Sequence, residues 1–333
     1  QATEKFGAGA GASRLICGSL APFHELEETL AAFKGTEAAL TFSTGYAAAV
    51  GTITALLGKD DIIIVDKLVH ACIVDAAKLS GAKLRVFAHN DLNDLAEILK
   101  WANNSKSAIG NRQSAILVVT ESIFSMDGDA APLQEIVALK EIHGAWLMVD
   151  EAHATGLYGA HRRGLAEELG VSSRIEVQMG TLGKALGASG GFICGNRSLV
   201  DFLINRARSF IFSTAPVPAA AGAAQAGIRL VQSAEGANRA AQLWKRVAEF
   251  QSGIGNLESA ISSAIVPLII GDESAAVAAA TKLREQGLFV PAIRYPTVAR
   301  GTARLRITLT AAHTLTEVTE LARALSQIVN PKS

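Results

Sequence analysis

Hydrophobic and polar residues follow two periods along this chain, and their succession predicts alternating helices and strands. Between Phe23 and Phe33, Leu26, Leu30 and Phe33 keep helical spacing. Glu25, Glu27 and Glu28 lie near the start, where acidic side chains suit a helix dipole. Ala38 to Phe42 reads as a short buried strand, and Ser43-Thr44-Gly45 begins the next turn. Asp61 to Val65 is a β-branched run ending at Asp66. His70 to Leu79 has helical spacing, Lys83 to Phe87 reads as a strand and Leu92 to Ala102 as a helix. Ser114 to Thr120 reads as a buried strand and Pro132 to His143 as a helix, with the proline suited to its first turn. Trp146 to Val149, Ile175 to Met179 and Gly190 to Cys194 are further buried strands. Continuous apolar strands separated by helices predict an α/β fold, a mostly parallel sheet covered by helices on both faces.

Around Pro216-Val217-Pro218 the pattern changes. An Ala-rich helix is predicted over 219–233 and a second over 237–253. A strand follows over 265–270, a helix over 274–286, strands over 289–293 and 304–309, and a last helix from Thr316. These spacings predict a large domain over 1–218 and a smaller α+β domain over 219–333. The polar stretch from Asn103 to Ser114 reads as a surface loop, and no internal repeat is evident.

Ligands of such a sheet bind beyond the carboxyl ends of its strands. Gly45, His70, Glu121, Ser125, Asp150, His153 and Lys184 all follow strand-like runs, which predicts one common site. The most informative stretch is Gly180-Thr181-Leu182-Gly183-Lys184-Ala185-Leu186-Gly187, one lysine among small residues. Upstream, Asp150 ends the run Ala145-Trp146-Leu147-Met148-Val149. Glycines let a bulky cofactor approach the backbone. The lysine supplies an amine for an imine with an aldehyde, and the carboxylate can pair with a pyridinium nitrogen. That combination points to pyridoxal 5′-phosphate (PLP).

Blander readings stand beside it. A lone lysine between glycines is more often a solvated loop residue. A phosphate loop of the form GxxxxGK[ST] fails, because Gln178 holds the place of the first glycine and Ala185 that of the Ser/Thr. Asp150-Glu151-Ala152-His153 spells a helicase box without a phosphate loop to serve. Gly7-Ala8-Gly9-Ala10-Gly11 lacks the preceding strand of a dinucleotide fingerprint. Asp150 could be a strand-end cap, His70 a helix cap, His153 a surface histidine, and Arg304 and Arg306 surface salt bridges.

The charge of the 333-residue chain is balanced, with 31 basic and 31 acidic residues and no long single-sign block. This argues against nucleic acid or an anionic membrane surface as partner. With 49% hydrophobic and 19% charged residues it reads as compact and globular. No apolar run reaches the ~18 residues of a membrane span. Cys17, Cys72 and Cys194 lie far apart, with no CxxC pair and no metal framework. They fit a reducing, cytoplasmic setting and read as small core residues. The chain opens at Gln1 in Gly/Ala-rich sequence with no signal peptide visible, so a further N-terminal segment is expected upstream.

With these residues placed, the chain resembles the α-oxoamine synthases, PLP enzymes of fold type I. The resemblance spans nearly the whole chain. It rests on His24-Glu25-Leu26-Glu27, Phe42-Ser43-Thr44-Gly45-Tyr46, Ser125-Met126-Asp127-Gly128, Val149-Asp150-Glu151-Ala152-His153, the Lys184 loop and the stretch from Gly301 to Arg306. It implies that Lys184 carries the cofactor as a Schiff base and then serves as acid and base at the substrate's Cα. Asp150 binds the pyridinium nitrogen, His70 stacks on the ring, His153 reaches its phenolic oxygen and Ser125 lies beside it. Glu121 holds a catalytic histidine or the ring environment. Gly45 and Tyr46 give amides to the phosphate at a helix start. Thr181 adds a hydroxyl, and Thr214 reaches the phosphate in the neighbouring subunit of a homodimer with shared sites. Arg306 grips the amino-acid carboxylate, for which a guanidinium fork is suited. Arg304 is expected on the other face of the strand, and Thr297 near the acyl substrate.

The family condenses an acyl thioester, on CoA or an acyl carrier protein, with an amino acid and releases carbon dioxide. Phe87-Ala88-His89-Asn90-Asp91, the stretch from Phe124 to Leu133 and that from Ala292 to His313 most resemble the biotin-pathway members, which join L-alanine to a pimeloyl thioester. The stretch from Arg14 to Glu27 leans toward members that join glycine to acetyl-CoA. A non-catalytic subunit on the same fold, and a generic PLP aminotransferase or lyase, are the remaining alternatives. Lys184 and Asp150 argue against the former, and the Arg304-Leu305-Arg306 context against the latter. The chain departs from the family in having Ala49 where asparagine is usual, and Ala8 and Ala10 in glycine-rich territory.

Overall fold

The structure, a computed structural model, describes residues 1–105, 108–109, 112–254 and 263–329. The chain forms two compact units. One comprises Gln1–Ile123 and Ala131–Ser233, the other Phe124–Ala130 and the chain from Ala234 onward. The helix Pro218–Gln232, expected to open the small domain, belongs to the first unit. Its Ala221, Ala224, Ile228 and Val231 share a core there with Phe23, Leu26, Leu30 and Phe33.

The first unit is built on seven strands: β1 (Ala38–Phe42), β2 (Ile62–Asp66), β3 (Lys83–Phe87), β4 (Ile116–Glu121), β5 (Trp146–Asp150), β6 (Val177–Thr181) and β7 (Gly191–Gly195). Their order in the sheet is β1-β7-β6-β5-β4-β2-β3. β7 runs antiparallel to both neighbours, and the other pairs are parallel. The apolar runs are continuous because both faces are covered. Ile63, Val65, Leu117, Val119, Met148 and Met179 enter one core, with Ala48, Ile53 and Ile73 from helices α2 (Gly45–Leu56) and α3 (Ala71–Ser80). The alternate residues Ile62, Ile64, Ile116, Val118, Leu147 and Val149 are equally buried on the opposite face. Burying such a side chain contributes about 1.5–3 kcal/mol. Ala49 lies inside α2 and is fully buried, so the departure from asparagine falls in the core.

Helix α1 (Ala21–Lys34) packs across the sheet from α2 and α3, in the core that holds Phe192 and Cys194. It stops at Gly35, whose φ of 70° is a left-handed cap conformation that glycine adopts at little cost. Arg14 is buried against it. Nη1 and Nη2 donate to the two oxygens of Glu27 at 2.8 and 2.9 Å, and Glu27 also accepts from the Thr41 amide at 2.9 Å. This pair ties the N-terminal segment to α1 and to the edge strand.

The second unit has three antiparallel strands in the order β8-β10-β9: β8 (Ile265–Gly271), β9 (Ala292–Ile293) and β10 (Ala303–Thr308). Helices α4 (Ala234–Ile254), α5 (Glu273–Glu285) and α6 (Leu315–Val329) complete it. The strand predicted over 289–293 is cut to two residues. Pro291 has no amide to give to a ladder, and its carbonyl instead accepts the Arg306 amide at 3.0 Å. Phe289 is left 76% exposed beneath the Arg284 guanidinium. The polar stretch over 103–114 is not wholly loop. Asn103 and Asn104 finish the helix Leu92–Asn104, and Ala108–Ile109 pairs with Arg112–Gln113; residues 106, 107, 110 and 111 lie outside the described residues. No helix among the described residues is long and apolar enough to cross a membrane.

Removing one partner of a buried ion pair strands the other's charge, at about 3–5 kcal/mol. Glu27→Ala should therefore lower unfolding stability on that order. Arg14→Met combined with Glu27→Leu should recover most of the loss, as read from urea midpoints.

Candidate active site

The carboxyl ends of β4 and β5 place two acids side by side, because Glu121 and Asp150 are register partners on adjacent parallel strands. Both are buried, at 3% and 6% exposure. Glu121 Oε1 accepts the backbone amide of His70 at 2.5 Å, and Asp150 Oδ1 accepts the Ala152 amide at 2.9 Å. Burial, followed by the neighbouring Asp150 carboxylate, pushes the Glu121 pKa up to about 8. Asp150 is also raised, chiefly by burial, while the Lys184 ammonium and His70 pull it down. A buried carboxylate whose charged form is disfavoured by desolvation regains that form when a cationic N–H partner, such as a pyridinium nitrogen, sits against it.

His70 caps α3. Its Nδ1 accepts the Cys72 amide at 3.2 Å, and the ring is exposed. Both readings of this histidine are therefore compatible, since capping leaves a ring face open. Lys184 Nζ lies 2.7 Å from His153 Nε2. The lysine stands on a loop closed by Leu182 and Gly190, whose backbones pair at 2.9 Å, and by the Gly187 amide bonding to the Lys184 carbonyl at 3.0 Å. Gly156 must lack a side chain, because a Cβ there would come within 2.6 Å of the Ala185 Cβ, and its φ is 92°. The turn after Asp150 and the Lys184 loop thus pack directly on each other, which is how His153 meets the lysine.

Helix α2 begins beside them. A Cβ on Gly45 would sit 3.9 Å from the Thr181 Cβ. Thr44 caps the helix by accepting the Ala47 amide at 3.0 Å, and the first i to i−4 bond is Ala48 to Thr44. The amides of Gly45 and Tyr46 precede it, so they are open to an anion such as a phosphate. The Tyr46 hydroxyl donates to Asp75 at 3.0 Å. Thr214 pairs with Ser13 through an isolated bridge and is exposed.

The remaining expected residues belong to the second unit. Arg306 Nε donates to the Ser125 carbonyl at 2.7 Å and Nη1 to Thr308 at 2.8 Å. It is half-buried, and no carboxylate pairs with it among the described residues. Burial lowers its pKa. Arg304 does not face the other way. It bonds the Met126 carbonyl at 3.2 Å and Asp127 at 2.6 Å, reaching the same Ser125–Asp127 segment as Arg306. Side chains alternate along a strand, so residues two apart share a face. Thr297 is exposed on a turn, its amide donating to the Arg294 carbonyl at 3.0 Å.

The surroundings of three residues escaped the sequence reading. Cys72 and Cys194 are core residues, as expected, whereas Cys17 is exposed; Cys72 lies beside both acids. Burial first, then Asp150 and Glu121, push its thiol up to about 12, which makes it inert. Lys34 and Glu151 form a buried ion pair at 2.5 Å directly behind Asp150. A lysine ending a helix before glycine carries no local sign of burial. Among the described residues, no cluster of three or more His, Cys, Asp or Glu could hold a metal ion.

A model of the aminotransferase class I and II family matches residues 1–325. The chain belongs to this family. It is 47% identical over 331 residues to the 8-amino-7-oxononanoate synthase of Anaeromyxobacter dehalogenans strain 2CP-1, covering 98% of this chain and 80% of that protein. Among solved structures it is similar to a serine palmitoyltransferase from S. paucimobilis carrying a PLP–myriocin aldimine. There the TM-score is 0.91 at 32% identity, over 99% of this chain and 82% of that one. It is also similar to 8-amino-7-oxononanoate synthase from Francisella tularensis, with a TM-score of 0.81 at 27% identity over 99% and 91% of the two chains.

A folded-state pKa raised above the unfolded value of an acid means that the folded chain holds the extra proton. Glu121 thus contributes stability that is fully present below about pH 4.5 and is lost as pH rises through about 8. The cofactor-free protein should weaken between these limits, on the order of 1 kcal/mol per pH unit. Glu121→Gln should flatten the slope, as read from urea midpoints at pH 5.5 and 8.5.

Proposed function

We propose that this protein uses pyridoxal 5′-phosphate to condense L-alanine with a pimeloyl thioester, releasing carbon dioxide and giving 8-amino-7-oxononanoate for biotin biosynthesis. The observation that carries the reading is the meeting of Lys184 and His153 beside buried Asp150. The 47% identity to an 8-amino-7-oxononanoate synthase over nearly the whole chain supports it. When bound, PLP supplies an electron sink for charge developing at the amino acid's Cα.

The chain's own residues do the rest. Lys184 anchors the cofactor through its amine and, once freed, moves the Cα proton. His153 lies within hydrogen-bond reach of that amine and orients it, and it serves the cofactor's phenolic oxygen. Asp150, as an anion, holds the proton on the ring nitrogen, in a setting whose burial strengthens the pairing. His70 covers the ring face, kept in place by Glu121 through its amide and by its own cap on Cys72. The Gly45 and Tyr46 amides would hold the phosphate, and the Thr181 hydroxyl, which donates to the Gly190 carbonyl at 3.0 Å, would turn from it to join them. This reading assigns Ser125 to the cofactor and Thr297 to the acyl chain. Arg306 grips the alanine carboxylate, and the lack of an acidic partner among the described residues leaves it available. Arg304 is already spent on Asp127.

The assembly in this reading is a homodimer with shared sites, in which Thr214 reaches the partner's phosphate. Leu15, Ile16 and Phe212, at 49%, 79% and 68% exposure, lie on the segments joined by the Ser13–Thr214 bridge. Such exposed apolar side chains are what a second copy would cover in this reading. All three cysteines are free, which fits a cytoplasmic setting.

A product assay with pimeloyl-CoA plus alanine should give turnover well above that with acetyl-CoA plus glycine; the reverse ranking would overturn the substrate assignment. Lys184→Ala should lose at least two to four orders of magnitude in turnover, roughly the contribution of a positioned acid/base. Borohydride should fix a pyridoxyl group on the Lys184 peptide of the parent protein alone.

Arg306→Ala should raise the KM for alanine, since a lost charged contact costs about 2–5 kcal/mol. It should leave the thioester KM nearly unchanged, and Arg306→Lys should recover only part of the loss. Arg304→Ala should instead lower stability, by freeing Asp127, with little change in alanine KM.

A further inference from the structure

Glu151 is the residue at which the chain leaves β5, and it sits between Asp150 and the turn that carries His153. Its backbone is fully engaged. The amide donates to the Met179 carbonyl at 2.9 Å, extending the sheet by one bond. The carbonyl accepts the Ala154 and Thr155 amides at 3.0 and 2.9 Å, closing the turn. Successive side chains on a strand point to opposite faces. Asp150 shares a face with Met148 and the α2–α3 core, so Glu151 points to the α1 side.

There Glu151 is 1% exposed and meets Lys34, the last residue of α1, itself 2% exposed. Lys34 Nζ donates to Glu151 Oε2 at 2.5 Å and to the Arg163 carbonyl at 2.6 Å. The Ala166 amide donates to Glu151 Oε1 at 2.9 Å. Gly164 closes the space: a Cβ there would come within 2.4 Å of both carboxylate oxygens, and its φ of 141° already suits glycine alone. Both oxygens of the carboxylate are therefore held, by donors from two segments far apart in sequence.

We propose that the Lys34–Glu151 pair is a positioning device for the Asp150–His153 turn. Held from behind, the turn cannot slide along the strand axis or tilt toward the Lys184 loop. The buried carboxylate and the imidazole that meet the cofactor then keep fixed positions before it binds. Neither Lys34 nor Glu151 touches the reacting atoms. A turn pinned on one face of the sheet presents a preorganised ligand set on the other, and preorganisation lowers the ordering cost of binding. The inference rests on the reading of this site as a PLP site.

The test uses the protein freed of PLP and then titrated with it, in the parent, Lys34→Met and Glu151→Gln. The amide of Glu151→Gln keeps one oxygen, enough for one of the two donors, and turns its NH2 toward the other, so this variant loosens the clamp while retaining one of its contacts. Lys34→Met should bind PLP at least tenfold more weakly, and Glu151→Gln several-fold more weakly. In both, the visible circular dichroism of bound PLP, which reports the cofactor's orientation, should change. If the folded variants bind PLP with the parent's affinity and the same visible dichroism, whatever their urea midpoints, the pair is only structural glue and the proposal is overturned. Should Lys34→Met fail to fold, Glu151→Gln decides by the same two readouts. A parent that binds no PLP would instead remove the underlying functional reading, an outcome distinct from either.

Discussion

Two carboxylic acids buried side by side at the ends of adjacent parallel strands are the constraint on which the rest of this structure depends. Like charges this close in a low-dielectric interior cannot both ionise freely. The fold manages them with few, definite contacts. Each acid receives a backbone amide, Glu121 from His70 and Asp150 from Ala152, and the cationic groups that moderate Asp150 are Lys184 and His70. The sheet order brings these elements together. β4 and β5 are neighbours, β6 leads to the lysine loop, and β2 leads to the histidine that caps α3. The polarity of the strands thus brings two carboxylates, a lysine and a histidine to the carboxyl end of one sheet.

Helix α1 supports that edge from behind. Its first half carries Glu27, bound to buried Arg14, and its last residue is Lys34, bound to buried Glu151. Ion pairs of this kind contribute little net stability against hydrophobic replacements, because desolvation offsets most of the attraction. What they provide is registry. An apolar face can slide by a methyl group at small cost, whereas a guanidinium or ammonium fixed by several directional hydrogen bonds has far less freedom. Both pairs lie where registry counts, one fastening the N-terminal segment to the edge strand and the other lying directly behind Asp150.

The similarity to serine palmitoyltransferase and to 8-amino-7-oxononanoate synthases separates fold from substrate. A TM-score of 0.91 at 32% identity means that the scaffold persists while most side chains change. Function then resides in particular groups. Arg304 and Arg306 illustrate the point. They share a strand face and differ by two residues, yet one is neutralised by Asp127 and the other has no acidic partner among the described residues.

Local sequence signals carried the succession of elements and marked the candidate site. The strands over 38–42 and 83–87 have the predicted bounds, and Asp150, His153 and Lys184 were legible from strand ends and small-residue loops. These signals are local, because burial on two faces writes itself as an unbroken apolar run and a cofactor loop as a run of glycines. The shortening of β9 was also local and could have been found in Pro291. Tertiary structure alone decided the rest. It set the partner of Arg304, the assignment of Pro218–Gln232 to the first unit, and the burial of Lys34 against a glutamate 117 residues away. Such pairings depend on which surfaces meet when helices close over the sheet. No residue's immediate neighbours carry that information, since a lysine before a helix-ending glycine reads the same whether water or Glu151 receives it.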